Sequence, residues 1–180
     1  MDQRKIEEFK SAVWDFYKKE GRYDMPWRHT TNPYYILVSE IMLQQTQVDR
    51  VTQKYQEFIT VFPTIKLLAE SPLGKVLSVW SGLGYNRRAK YLKQAAEKIA
   101  ESHKGIIPQN IEELQRLPGI GEATAAAILT YAYNKPIPYI ETNVRTVFIH
   151  HFFHNKKDLS DKQLFPFVKK SLDSINTREW

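Results

Sequence analysis

The sequence predicts an all-α protein. Apolar residues recur at steps of three and four along nearly every periodic segment, and no stretch sustains the alternation of period two that a strand would show. Proline and glycine punctuate these segments. With 180 residues, 42% of them apolar, the chain can bury a real core, as one compact domain or as two small lobes sharing one.

Taken in order, the first strong stripe starts at Pro33 and runs through Leu37, Ile41, Val48, Val51, Tyr55 and Phe58. It faces a core whether it forms one helix or two. Phe62-Pro63 and Ser71-Pro72 break the chain, because a residue before proline is pushed out of the α region. Short helices are expected over Thr64 to Glu70 and Leu73 to Trp80, the second ending at Gly82 and Gly84. A longer one covers Arg87 to His103, with Ala89, Leu92, Ala96 and Ile99 inward and Gly105 as its stop.

Residues 111 to 116 and 122 to 133 form two helices around the turn Leu117-Pro118-Gly119-Ile120-Gly121. Ala125, Ala126 and Ala127 in the second are small enough to admit another backbone closely. Lys135-Pro136-Ile137-Pro138 is an extended crossing, and Thr142 to Phe153 and Asp161 to Ile175 are the last helices. Pro166 fits the final helix only if the helix starts there or kinks. There is no internal repeat and no low-complexity tract.

A formal charge of +6 and a pI near 9.4 favour a polyanionic partner, since each phosphate neutralised by Lys or Arg releases counterions. The absence of cysteine excludes disulfides, thiolate zinc sites and Cys-ligated iron–sulfur clusters, so no cofactor is expected. The start, Met1-Asp2-Gln3-Arg4-Lys5-Ile6, lacks an apolar signal region, and no later run is long enough to span a bilayer. An intracellular protein is expected, cytoplasmic and nucleoid-associated if the source is prokaryotic.

Gly119 and Gly121 let a two-helix turn present backbone amides at the start of a helix, where amides and dipole hold an anion without side-chain charge. The same pentapeptide also suits a plain αα-corner. Arg87, Arg88, Lys90, Lys93, Lys98 and Lys104 outnumber Glu97 and Glu101 on the long helix, which reads either as a DNA-facing or a solvated face.

Glu40 has Ile36 and Leu37 a turn before it and Leu43 and Gln44 a turn after. Desolvation there favours the neutral acid, a form able to donate a proton to a departing purine, unless the side chain simply reaches water. Glu141 precedes Thr142-Asn143-Val144 at a helix N-terminus, where an anion is stabilised; it serves there either as a reacting carboxylate or as a cap. A neutral acid and an anion are the pair required when a glycosidic bond breaks through an oxocarbenium-like state.

Gln44, Gln45 and Tyr85 can fill the gap left by an extruded base, although Tyr85 could equally be an interface aromatic. His150, His151 and His154 include an i,i+4 pair, but no acidic or Cys ligand completes a metal set, and none is expected.

At these residues the chain resembles the helix-hairpin-helix DNA glycosylase superfamily, and within it the MutY-type adenine glycosylases. Pro26-Trp27-Arg28, the run Ser39-Glu40-Ile41-Met42-Leu43-Gln44-Gln45-Thr46-Gln47-Val48, Gly82-Leu83-Gly84-Tyr85, Leu117 to Gly121 and Asn143-Val144 follow one another in the family's order. The match spans about Met25 to Val147. It implies a two-lobed fold, with a six-helix barrel lobe over residues 26–136 that contains the hairpin at about 111–133. The second lobe would comprise 1–25 plus 137–180.

It further implies that Glu40 protonates a mispaired adenine, that the carboxylate at 141 stabilises the sugar cation, and that Asn143 supports it. Gln44, Gln45 and Tyr85 would invade the stack, with Thr46 beside them at the DNA. Arg87, Arg88, Leu117, Gly119, Ile120 and Gly121 would hold the DNA, and Trp27, Arg28 and Leu43 would lie near the base pocket. The expected partner is double-stranded DNA bearing a mismatch or lesion, bound by a monomer.

The departures from the family matter. Aspartate usually stands where this chain has Glu141, and an added methylene moves a carboxylate on the order of an ångström, which catalysis can feel. The cluster-ligating cysteines are absent, and the chain stops at Trp180, before the usual final helix and the oxidised-guanine recognition domain. Ala123 stands where lyase-active relatives carry lysine, so no Schiff base can form there and a monofunctional glycosylase is expected. Competing readings are the same scaffold acting on thymine or uracil opposite guanine, and a DNA-binding module without chemistry.

Overall fold

The computed structural model describes residues 3–154 and 159–180. Met1, Asp2 and residues 155–158, which the expected second lobe includes, lie outside the described residues. Among the described residues there are ten α-helices and no strand, in line with the all-α expectation. The chain divides into two compact units: Met1–Tyr23 with Asn134–Trp180, and Asp24–Tyr133.

The continuous unit opens with a 3-10 turn over Pro26–His29 and then carries α2 (Pro33–Leu43), α3 (Val48–Val61), α4 (Ile65–Glu70), α5 (Leu73–Trp80), α6 (Arg87–Ser102), α7 (Ile111–Gln115) and α8 (Glu122–Tyr133). The stripe from Pro33 is thus two helices. Local chemistry starts three of the helices: Asn32 Oδ1 accepts from the Tyr34 amide at 2.9 Å, with Pro33 opening α2, and Thr64 and Asn110 cap α4 and α7 through their side chains. Lys104 (φ 55°) and Gly105 (φ 79°) stop α6, the Gly105 amide donating back to the Ile99 carbonyl at 3.0 Å.

α2 is the hub of this unit. It packs against α8, α3 and α6, and seven of its eleven residues are buried. That explains why its apolar residues extend beyond the stripe of Leu37 and Ile41 to Ile36, Val38 and Met42: a helix covered on several sides must be apolar on several sides. The contact with α8 places Ala125, Ala126 and Ala127 in the interior. The core continues through Phe58, Phe62 and Trp80, with Phe58 edge-on to Trp80 at 5.9 Å and Tyr34 Oη donating to the Phe62 carbonyl at 2.7 Å. Fully burying each such aromatic contributes roughly 1.5–3 kcal/mol.

The discontinuous unit comprises α1 (Gln3–Glu20), α9 (Thr142–Phe153) and α10 (Asp161–Ser171). Its core is Phe9, Phe148, Leu159, Leu164 and Val168, bordered by Val13, Val144, Phe152, Phe167 and Trp180. α10 begins at Asp161, with Gln163 Oε1 accepting from the Ser160 amide at 3.0 Å. Pro166 therefore lies inside the helix rather than opening it, on an exposed position where one intrahelical bond is lost.

The expected extension of this helix to Ile175 is corrected. α10 ends at Ser171 because Leu172 turns extended (ψ 135°) and Asp173 Oδ1 captures the amides of Ile175 and Asn176, each at 2.9 Å.

Candidate functional site

Glu40 is the one Asp, Glu, Lys or Arg in α2. It is half-buried, while Ile36, Leu37, Ile41 and Met42 around it are fully covered. Leu43, the last residue of the helix, is half-buried as well. Trp27, in the 3-10 turn that packs on α2, lies edge-on to Tyr55 at 5.4 Å, and Arg28 beside it is exposed. Desolvation first, and Tyr35 second, push the Tyr55 hydroxyl pKa well above the usual tyrosine value, so it stays a neutral donor.

Beyond Leu43 the chain leaves the helix through Gln44 to Gln47. Gln45 is exposed and has φ 56°, a left-handed conformation uncommon for a residue with a side chain. Gln44 is tied inward: its Nε2 reaches Thr124 Oγ1 at 3.3 Å and the Gly119 carbonyl at 3.5 Å, the second at the limit of a hydrogen bond. Thr46 is half-buried and accepts from Arg88.

The loop Gly82-Leu83-Gly84-Tyr85 is its counterpart. Leu83 is buried, the two glycines have positive φ, and Tyr85 is left-handed too (φ 48°) with 64% of its surface exposed.

Arg88 joins these loops. Its Nη1 donates to the carbonyls of Ile41 (3.0 Å), Met42 (2.8 Å) and Gln44, and Nη2 to Thr46 Oγ1 (2.8 Å), Gly84 (3.3 Å) and Leu83 (3.4 Å). The guanidinium sits against the rings of Trp80 and Tyr85 at 5.4 and 5.5 Å, and its Nε is buried without a partner. It meets carbonyls that the end of α2 leaves unpaired, where the helix dipole favours a cation.

The expectation that Arg88 holds DNA is therefore corrected: it is 8% exposed and both of its Nη groups are committed to the protein. Lys93 is likewise turned inward, to the Ala69 carbonyl (3.1 Å) and Glu97, so the basic helix has fewer free cations than its sequence suggests. Arg87 does remain exposed, its guanidinium 5.6 Å from the Tyr91 ring.

In the hairpin, Leu117 and Ile120 are buried and Gly119 and Gly121 exposed. The leucine and isoleucine thus anchor the turn and leave the backbone at its glycines exposed. Gly119 has φ 78°, and a Cβ there would lie 2.8 Å from Tyr91 Cβ, so both conformation and space demand glycine. α8 starts immediately after Gly121, and the amides of its first turn have no intrahelical acceptor. Ala123 is half-buried in that turn.

Glu141 is the N-cap of α9. Its Oε1 accepts from the Val144 amide at 2.8 Å and its Oε2 from Asn143 Nδ2 at 3.2 Å. The side chain is half-buried and Asn143 exposed. The carboxylate is thus fixed in direction, at a helix end that favours negative charge. Glu40 belongs to the continuous unit and Glu141 and Asn143 to the other. Of the histidines at the end of α9, His151 packs its ring 4.9 Å from Phe9, and His150 and His154 are exposed. Among the described residues no cluster of His, Asp or Glu could hold a metal ion, and no helix is long and apolar enough to cross a membrane.

Reading the sequence missed the role of Arg88, though a signal existed. Arg88 is in helical register with Leu92, Ala95 and Ile99, all buried, and its position on that stripe marks it as inward.

A family model described as "HhH-GPD superfamily base excision DNA repair protein" matches residues 38–169. An adenine DNA glycosylase of Buchnera aphidicola subsp. Baizongia pistaciae is 38% identical over 167 residues, covering 93% of this chain and 47% of the relative. One from Mycobacterium tuberculosis is 41% identical over 145 residues, covering 80% and 47%. The chain thus spans about half the length of these curated relatives. The solved structure of a thermostable thymine-DNA glycosylase superposes with a TM-score of 0.87 at 27% identity, covering 98% of this chain and 82% of that one.

Proposed function

Because this chain belongs to the HhH-GPD superfamily of base excision DNA repair proteins, we propose that it is a DNA N-glycosylase, one that extrudes a mispaired base from duplex DNA and removes it hydrolytically. Its substrate is adenine opposite guanine or 8-oxoguanine. The observation that carries this reading is Glu40: a single carboxyl in an otherwise uncharged helix, half-buried, in the last turn before the loop that holds the exposed, left-handed Gln45. The adenine preference rests on the curated relatives at 38% and 41% identity, both adenine DNA glycosylases.

In this mechanism the Glu40 carboxyl gives its proton to a ring nitrogen of the adenine, which takes the electron pair of the bond to the sugar as it leaves. The Glu141 carboxylate, held by Asn143 and the α9 N-terminus, offsets the cationic charge left on the sugar. Water then adds to the anomeric carbon and loses a proton, leaving an abasic site. Gln45 and Tyr85, the exposed tips of their loops, fill the vacated stack. Gly119, Gly121 and Arg87 hold phosphate, and Trp27, Arg28 and Leu43 border the base. No cofactor enters the scheme, and duplex DNA is the partner of a single copy of the chain.

A second reading, thymine or uracil opposite guanine, is favoured by the likeness to a thymine-DNA glycosylase structure. One experiment separates them. Duplexes each carrying a single mispair or lesion are incubated with the protein, then treated with alkali, and cleavage is scored. Cleavage at adenine is expected, with Glu40→Gln abolishing it while duplex affinity stays near that of the wild type. Turnover by Glu40→Gln would remove Glu40 from the chemistry, and a wild type that cleaves no duplex would leave a binding module.

A further inference from the structure

Two of the four non-glycine residues with positive φ among the described residues are Gln45 and Tyr85, and both are exposed. Such conformations persist only where the surroundings over-determine them. Here the surroundings share one side chain. Arg88 holds the carbonyl of Gln44 and the hydroxyl of Thr46, on either side of Gln45. It holds the carbonyls of Leu83 and Gly84, immediately before Tyr85, and the Tyr85 ring lies over the guanidinium. The Arg88 amide also donates to the Tyr85 carbonyl at 2.9 Å, closing the second loop on the helix that carries the arginine.

We propose that Arg88 is the positioning residue of a two-pronged wedge: one buried guanidinium sets the spacing of Gln45 and Tyr85 so that both prongs enter the base stack together. This rests on the glycosylase reading above and deepens it. The planar fork of arginine is what lets one group serve two loops; lysine, with three donors on a single nitrogen, cannot reach both sets of carbonyls from one place. Gln44 is not a prong in this scheme. Its side chain is tied to Thr124 and the hairpin, which anchors the base of the first loop.

The wedge predicts that losing Arg88 uncouples extrusion from binding. Phosphate contacts made elsewhere, by Arg87 and the hairpin, keep affinity for duplex DNA, whereas unstacking of the target needs both prongs in place. The test uses the full chain and a duplex with one adenine–guanine mispair and 2-aminopurine beside the adenine, whose fluorescence rises on unstacking. Wild type, Arg88→Lys, Thr46→Val and the double variant are compared in affinity for undamaged duplex, fluorescence rise and single-turnover base release.

Arg88→Lys is expected to bind undamaged duplex within about twofold of wild type while its rates of unstacking and base release fall by about a hundredfold, the order expected when reacting groups are misplaced by an ångström. Thr46→Val, which removes one charge-assisted, half-buried bond in the first loop, lowers both by about tenfold. In the double variant the losses do not multiply, because both act through one contact.

Full unstacking and release by Arg88→Lys overturns the proposal, as does a parallel loss of duplex affinity. Should Arg88→Lys lack helical circular dichroism, Thr46→Val alone decides, and wild-type unstacking there overturns it. The two readings fail separately. A wild type that unstacks the mispair without releasing a base, beside an Arg88→Lys that does neither, sinks the enzymatic reading and keeps the wedge. Base release by both proteins does the reverse.

Discussion

Replacing Gly119 by alanine separates two costs that a hairpin glycine can carry. At φ 78° the backbone is left-handed, which costs a residue with a Cβ roughly 1–2 kcal/mol. The new Cβ would also lie 2.8 Å from Tyr91 Cβ and 3.4 Å from Tyr91 Cδ2. The nearer atom is bonded directly to the α6 backbone, so it cannot swing away, and overpacking of this kind costs about 1–3 kcal/mol. The sum is about 2–5 kcal/mol. Gly105 and Gly121 provide the internal scale. Gly105 has φ 79° but open space where a Cβ would go, so Gly105→Ala carries the conformational cost alone, about 1–2 kcal/mol.

Gly121 has open space and no left-handed backbone, and the entropy that alanine removes from the unfolded chain, about 0.4–1 kcal/mol, roughly offsets its poorer fit at the start of α8. Urea unfolding of the three variants, followed by circular dichroism, should therefore order them Gly121→Ala, Gly105→Ala, Gly119→Ala, with Gly119→Ala the least stable by at least a kilocalorie per mole. Equal midpoints for Gly119→Ala and Gly105→Ala would refute the argument that the hairpin is pressed against Tyr91.

Two further outcomes follow from other parts of the chain. Sodium borohydride, added during base release, should trap no covalent protein–DNA adduct, because Ala123 supplies no amine in the first turn of α8; trapping at the rate of base release would contradict this. Asp173 has its pKa lowered, chiefly by the amide of Asn176 and, more weakly, by that of Ile175. A carboxylate depressed on folding contributes stability above its unfolded pKa that is lost as pH falls through the lower folded value. Acid unfolding below the ordinary carboxylate range should therefore be shallower in Asp173→Asn, and an unchanged acid limb would refute the assignment.

Helix positions were legible in this sequence because capping and breaking residues are local signals. Asn32-Pro33, Thr64 and Asn110 each start a helix through an atom within three residues, and Gly105 ends one through its own backbone. The error at the end of α10 has the same origin in reverse. The apolar spacing continues to Ile175, but Asp173 offers the backbone a competing turn, and Ile175 ends 79% exposed. Periodicity reports which residues could share a face; it does not report whether a neighbouring side chain has taken the amides.

Charge was harder to read than apolarity, and α6 shows why. A basic helix and a helix with inward arginine and lysine have the same composition, yet the first presents charge to solvent and the second uses it to hold backbone carbonyls. Arg88 and Lys93 are buried only because each finds acceptors: the C-terminal carbonyls of α2 for one, Ala69 and Glu97 for the other. Glu97 is only four residues from Lys93, but the backbone carbonyls are 24 to 47 residues distant in sequence, beyond the reach of local pattern. Register alone pointed inward for Arg88, and desolvating a guanidinium without a partner is costly enough that sequence argues the opposite way.

Only the fold could show that α2 ends against α6 with its carbonyls open. The consequence reaches the chemistry: the helix that carries Glu40 is held at its end by the same group that holds Gln45 and Tyr85. A residue that the family resemblance assigned to DNA is thus part of the scaffold on which Gln45 and Tyr85 stand.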